Sequence, residues 1–176
     1  RAEAPVTETG HAAPAVIGGR RPYVWPAISL QSGHYALVPQ TVVPMLAYVD
    51  AVAAIDWLAD AFGFRELERI SDEDGTIMHA ELATNAEGGI VMLATPSADY
   101  ESPRRHSERC EQARAWLSVP WIVDGVLVYV EDVDAHFVRE RSKGARILSE
   151  PEDGPPARRY RVEDVEGHRW MFMQRA

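Results

Sequence analysis

Very little in this chain of 176 residues is suited to cross-linking, phosphate binding or membrane insertion. A single cysteine, Cys110, excludes an internal disulfide and any cysteine-rich zinc or iron–sulfur site, and it fits a reducing compartment. Lys143 is the only lysine, and 18 basic residues stand against 27 acidic ones, a formal net charge of −9. So acidic a surface repels phosphate backbones and anionic lipid, so no nucleic acid and no membrane is expected as a partner. No run approaches the roughly 18 consecutive apolar residues of a membrane span. The first residues lack the basic-then-apolar form of a secretory signal, and the expected location is cytoplasmic. Gly-rich phosphate loops, Gly-x-Ser-x-Gly elbows and His-Glu-x-x-His helices are all missing, which leaves nucleotide-binding and hydrolase readings without support.

What is present is a plan stated twice. Residues 45–63 run as an apolar strand, then Asp50, an amphipathic stretch and Gly63; residues 126–144 repeat it with Asp132 and Gly144. Each copy is followed by polar turns and further short apolar runs. Two copies of one strand–helix–strands unit predict a pseudo-symmetric domain with a cavity where the two sheets meet. At 46% hydrophobic and 26% charged residues the composition is that of an ordinary globular domain. Abundant alanine and arginine suggest a GC-rich bacterial genome.

Residues 1–22, rich in Ala, Pro, Gly and Thr, read as a flexible tail, and 23–41 as an N-terminal extension with Tyr23, Trp25, Ile28 and Tyr35. The domain proper is expected over 42–176, as units 42–94 and 124–174 joined by a connection at 95–123. In the first unit Val42–Val49 reads as a strand and Asp50 as a helix cap. Ala54, Ile55, Leu58 and Phe62 recur at helical spacing, and Gly63 gives a left-handed stop. Arg65–Ile70, Ile77–Ala83 and Ile90–Ala94 follow as antiparallel strands joined by Asp-Gly and Gly-Gly turns. The second unit reads as strand Val126–Val130, a helix turning Val133, Phe137 and Arg141 inward, and strands at Ile147, Arg159–Val162 and His168–Gln174. The connection is expected to hold one helix near Glu108–Leu117, with Trp116 and Trp121 as apolar anchors.

This pattern resembles the vicinal-oxygen-chelate superfamily, which includes glyoxalase I, bleomycin-resistance proteins, fosfomycin-resistance enzymes and extradiol dioxygenases. The likeness covers about residues 42–174. It rests on Tyr-Val-Asp then Phe-Gly, on Tyr-Val-Glu-Asp-Val-Asp then Lys-Gly-Ala, and on the closing Asp-Val-Glu-Gly-His-Arg-Trp-Met-Phe. Met-His-Ala-Glu-Leu at 78–82 and Gly-His-Arg-Trp at 167–170 most resemble the glyoxalase-like branch near the phosphonate-operon accessory proteins. The resemblance implies an α+β fold of paired βαβββ modules, an open curved sheet cleft and a homodimer.

In metal-dependent members the ion is held by four residues on the first and last strands of each unit. Here those positions fall on Val43, Met92, Gly125 and Met171, none of which can ligate a hard divalent cation. Neither a metal nor any other cofactor is therefore expected. His79 and Glu81 alternate on one strand, as metal ligands or an acid–base pair would, or as a hydrogen-bonded pair on a wet sheet face. His168 is expected to bond backbone at its turn, and His136 to be exposed. His106 and Cys110 are spaced to share a helix face. Met92, Trp121, Tyr129, Tyr160 and Met171 are expected to line an apolar, aromatic cleft, with Arg159 beside Arg158 placed to meet a ligand anion. The expectation is a small-molecule binding protein resembling the bleomycin-resistance branch. The alternative is a glyoxalase-like lyase, isomerase or transferase that uses a non-standard metal position or metal-independent acid–base chemistry through His79 and Glu81.

Overall fold

The structure, a computed structural model, describes residues 42–84, 88–120 and 125–174. The expectations for the tail, the extension and Trp121 lie outside them. Two βαβββ modules are present. The first consists of β1 (Met45–Ala47), α1 (Ala51–Phe62), β2 (Arg65–Ser71), β3 (Ile77–Ala83) and β4 (Ile90–Ala94). Two short helices follow, α2 (Pro103–Arg109) and α3 (Glu111–Leu117). The second module comprises β5 (Gly125–Val130), α4 (Val133–Ser142), β6 (Arg146–Glu152), β7 (Arg159–Glu163) and β8 (Arg169–Gln174). Each module makes a four-stranded sheet of the same order, β1-β4-β3-β2 and β5-β8-β7-β6. The last three strands of each are antiparallel, while the first strand lies parallel to the last.

The expected caps form. Asp50 accepts a hydrogen bond from Ala53 N at 3.0 Å, and Asp132 accepts from Asp134 N and Ala135 N at 3.0 and 2.9 Å. Gly63, at φ 69°, ends α1 in the left-handed region. Strand β1 is shorter than expected, three residues instead of the whole of Val42–Val49. The connection holds two helices where one was expected. The chain extends at Cys110, so His106 and Cys110 do not share a continuous helix face. Trp116 is 53% exposed and not an anchor, because α3 turns Ala113 to the buried side.

One apolar core serves both modules. Leu58 and Phe62 of α1 join Leu82 and Leu93 of the first sheet and Val128, Val162, Trp170 and Phe172 of the second. The Phe62 ring meets Trp170 and Phe172 edge-on at 5.4 and 4.9 Å. Within the chain the modules therefore meet through packed helices and rings. That junction is packed; of the two faces turned away from the helices, the second sheet's exposes Leu127 and Tyr129, whereas the first sheet's buries His79, Glu81 and Met92.

The helices differ inside this core. Helix α1 buries only apolar residues, whereas α4 buries His136 and Glu140 beside Val133 and Phe137, and leaves Arg141 exposed. His136 was expected outside; helical spacing from Phe137 brings it and Glu140 onto the face that meets α1. Its Nδ1 accepts from the Tyr160 hydroxyl at 2.7 Å, and its Nε2 donates to Phe62 O at 3.4 Å. Arg139 donates to Ala61 O at 3.0 Å, satisfying a carbonyl left open at the end of α1. Burial pushes the Glu140 carboxyl up to about 8, and burial, reinforced by the Arg139 charge, pushes the His136 imidazole down to about 4.

Candidate functional site

Strand register lays out the two faces turned away from the helices. Residues directly opposite in a ladder share a face. In the first sheet Met45, Met92, Glu81 and Glu68 therefore form one row across β1, β4, β3 and β2. In the second sheet the corresponding row is Leu127, Met171, Arg161 and Ser149 across β5, β8, β7 and β6. Leu46, Leu82, Leu93, Val126, Tyr160 and Phe172 point to the opposite, helix-covered side.

The second sheet's open face is apolar along the edge strand β5 and carries arginines on the inner strands β8 and β7. Leu127 and Tyr129 are 42% and 37% exposed on the edge strand β5. Beside them lies a shallow cavity of about 200 Å³, lined by Leu127 and Met171 and bounded by Arg161, Arg169 and Pro120. Gly125 allows β5 to approach β8, since a Cβ there would stand 3.2 Å from Arg169 O. The arginines are held in place. Arg161 bonds Glu152 at 2.9 Å, Arg159 reaches Glu152 at 3.5 Å, and Arg169 lies 3.3 Å from the buried Glu163. Arg169 also donates to the carbonyls of Leu117 and Val119, which fixes the end of α3 over this side of the sheet.

The corresponding face of the first sheet is buried where the second is exposed. His79 and Glu81 are 2% and 7% exposed, with Nε2 and Oε1 3.4 Å apart, so they do not form the wet-face pair that alternation alone allowed. Glu68 reaches the same point from β2, and one donor atom from each of the three residues lies within 4.8 Å of the others. Met92 is also buried here, opposite Glu81.

Of the residues expected to line one cleft, Tyr129, Met171 and Arg159 share the open face of the second sheet, and Met92 lies on the buried counterpart in the first. Tyr160 is a correction. It is fully buried on the helix side, stacked on Phe172 at 5.5 Å and bonded to His136. Burial, with the Glu140 charge adding, holds its phenol well above the usual tyrosine range. Arg158 binds Asp134 through two nitrogens at 2.9 Å and Asp153 at 3.0 Å, on the rim. His106 stands 3.6 Å from Glu101 at the surface.

Sequence reasoning missed the role of the closing Asp-Val-Glu-Gly-His segment. Asp164 is buried and accepts from Tyr48 Oη at 2.6 Å, from Trp170 Nε1 at 2.9 Å, and from the amides of Glu166, Gly167 and His168 at 3.0 Å. Its charge and burial together hold the Tyr48 phenol far above its ordinary value, burial being the larger cause. Glu166 accepts from Val49 N and Asp50 N at 2.9 and 3.0 Å, a carboxylate seated at the positive end of α1. His168 Nε2 donates to Ala47 O at 2.9 Å. Gly167, at φ 91°, leaves room for Arg104, whose backbone N an added Cβ would approach to 2.9 Å. This turn of the second module thus clasps the β1–α1 junction of the first. The signal was in the motif itself, which needs Asp, Glu and Gly at fixed offsets.

Comparison with known proteins agrees with this architecture. The sequence model of the Glyoxalase/Bleomycin resistance protein/Dioxygenase superfamily matches residues 33–172, and the chain belongs to that superfamily. An uncharacterized protein of Mycobacterium tuberculosis, Rv0887c, is 33% identical over 132 residues, 74% of this chain and 72% of that one. Among solved structures, TioX from Micromonospora sp. ML1 is 38% identical at a TM-score of 0.56, over 78% of this chain and 97% of its own. TnmS3, an antibiotic binding protein from Streptomyces sp. CB03234, shares the fold at 19% identity and a TM-score of 0.52, over 81% of this chain and all of its own. Among the described residues no helix is long and apolar enough to cross a membrane.

Proposed function

We propose that this protein binds and sequesters a flat, apolar or amphipathic small molecule on the open face of its second sheet, by burial and ring contact and with no metal at the four family positions. The observation that carries this reading is the exposed Leu127–Tyr129 edge beside the cavity at Met171, with Arg161 and Arg169 at its far side. Apolar side chains left open next to a few fixed polar groups are the usual make-up of a ligand site. That TnmS3, on the same fold, is an antibiotic binding protein supports a ligand of that kind.

At about 200 Å³ the cavity is smaller than the several hundred Å³ that enclose a drug-sized ligand. A second copy of the chain laid along the exposed β5 edge would supply the missing wall, so the proposed active form is a homodimer. Its proposed location is the cytoplasm, in keeping with one unpaired cysteine.

A second reading, glyoxalase-like lyase, isomerase or transferase chemistry, is favoured by one observation: His79 and Glu81 are buried within 3.4 Å of each other. A screen of aromatic antibiotics by thermal shift, followed by calorimetry on the hits, separates the two. Under the binding reading Tyr129→Ala and Met171→Ala each weaken the hit by about 1–3 kcal/mol, the scale of a buried apolar side chain, and His79→Ala leaves affinity unchanged. Turnover abolished by His79→Ala, with affinity intact in all three variants, would replace sequestration by catalysis.

A further inference from the structure

We propose that the face of the first sheet turned away from α1 carries a largely buried divalent transition-metal site formed by Glu68, His79 and Glu81, separate from the four positions at which the superfamily holds its metal. The argument begins with register. Glu68 on β2 stands directly opposite Glu81 on β3, and His79 precedes Glu81 by two residues on the same strand, so all three side chains emerge on one face. Two carboxylates directly opposite across a ladder repel each other. Among the described residues no lysine or arginine pairs with either of them; the imidazole of His79 is the one described partner of Glu81. Glu81 is 7% exposed, and a buried carboxylate keeps its charge only beside a compensating positive one.

A divalent cation meets that need with the donors in place. One imidazole nitrogen and two carboxylate oxygens suit a borderline ion such as Zn²⁺, Mn²⁺ or Co²⁺, and three protein ligands leave coordination positions open. The donor atoms lie within 4.8 Å of one another. Two ligands of the same ion stand at most about 4.2 Å apart, so closing the site needs a shift of only a few tenths of an ångström in each side chain. Ile70 opposite His79 and Met92 opposite Glu81 flank the donors with apolar groups, which strengthens the attraction between ion and carboxylate. Glu68, on the exposed β2, keeps one side of the site open to solvent. The two sheets thus suit distinct ligands: an ion at the first and an amphipathic molecule at the second. Either assignment can fail without the other.

The test is Zn²⁺ titration of the full chain, stripped with chelator, by isothermal titration calorimetry, with Co²⁺ visible absorption as the second readout. One ion per chain is expected, with a Co²⁺ spectrum showing nitrogen and oxygen ligation. Glu68→Gln is the main variant, because an exposed carboxylate can be neutralised without unfolding the sheet. It should lower affinity by about tenfold or more at unchanged melting temperature, and His79→Ala should abolish the Co²⁺ spectrum. Absence of stoichiometric binding, or binding that is the same in wild type, Glu68→Gln and His79→Ala, would overturn the proposal.

Discussion

Counted from their capping aspartates, the two modules are built alike and charged oppositely. Both present a thioether beside an apolar first-strand residue, Met92 with Met45 and Met171 with Leu127. On the third strand the first module then has Glu81, next to His79 and Glu68, where the second has Arg161, next to Arg159 and Arg169. Their helices divide in the same manner, α1 burying hydrocarbon alone and α4 a histidine and a glutamate. The backbone plan is set by apolar periodicity and capping, which both copies retain. The chemistry is set by a few positions at which the copies have diverged, and function is to be sought in those differences.

The sharpest break between the modules is at Asp164, in a turn that satisfies donors from both. Asp164→Ala leaves the Tyr48 hydroxyl, the Trp170 indole N–H and three amides without their acceptor. Urea denaturation should show a loss of about 3–5 kcal/mol, the scale of a broken buried ionic network.

The polar interior of α4 gives the next largest effect, and it depends on pH. The Glu140 carboxyl, at about 8 in the native protein against an ordinary 4.5, holds its proton more tightly when folded. Its contribution is therefore complete below about 4.5 and is lost as the pH rises through 8. Glu140→Gln imitates the protonated form, so it should raise stability at pH 9 by about 1–4 kcal/mol and change little at pH 5. His136 works in the other direction. With its imidazole at about 4 against 6.5, its contribution is complete above 6.5 and is lost as the pH falls through 4. Thermal melts across this range read both signs. A Glu140→Gln benefit equal at the two pH values would mean that the carboxyl is not protonated in the core.

The smallest effect is expected where the helices touch in water. Lys143 and Asp60 bond at 2.7 Å between α4 and α1, with both side chains largely exposed. Lys143→Ala should cost no more than about 1 kcal/mol, and the loss should shrink further in high salt.

Much of this arrangement was legible in the sequence. Asp50 and Asp132 before apolar helical runs, with Gly63 and Gly144 after them, fix both helices, and Asp-Gly at the first hairpin turn fixes its antiparallel pairing. Tyr160 shows what was readable but overlooked: in Arg-Tyr-Arg-Val-Glu it alternates in step with Val162, so it belongs to the buried side. Trp116 was misjudged because a large apolar ring says nothing of which face a two-turn helix presents. The partnership of Glu68 with Glu81 could not be read at all. Irregularities in the β2–β3 ladder on both sides of Glu68 set the register, and no local pattern reveals those. The burial of His136 and Glu140 was hidden for a similar reason, since a polar residue joins a core only where the opposing module supplies its partners.

The turn at Asp164 also dictates when the first module can be finished. Tyr48 waits for an acceptor 116 residues further along, and the amides of Val49 and Asp50 wait for a carboxylate about as distant. Bringing such remote segments together costs closure entropy before any bond repays it, which places this step late and makes it slow. During synthesis, the opening helix emerges from the ribosome with its first turn unanchored and stays so until the final hairpin has been translated. A chain arrested before that point exposes the interior of its first module, which makes the β7–β8 hairpin a checkpoint for both modules.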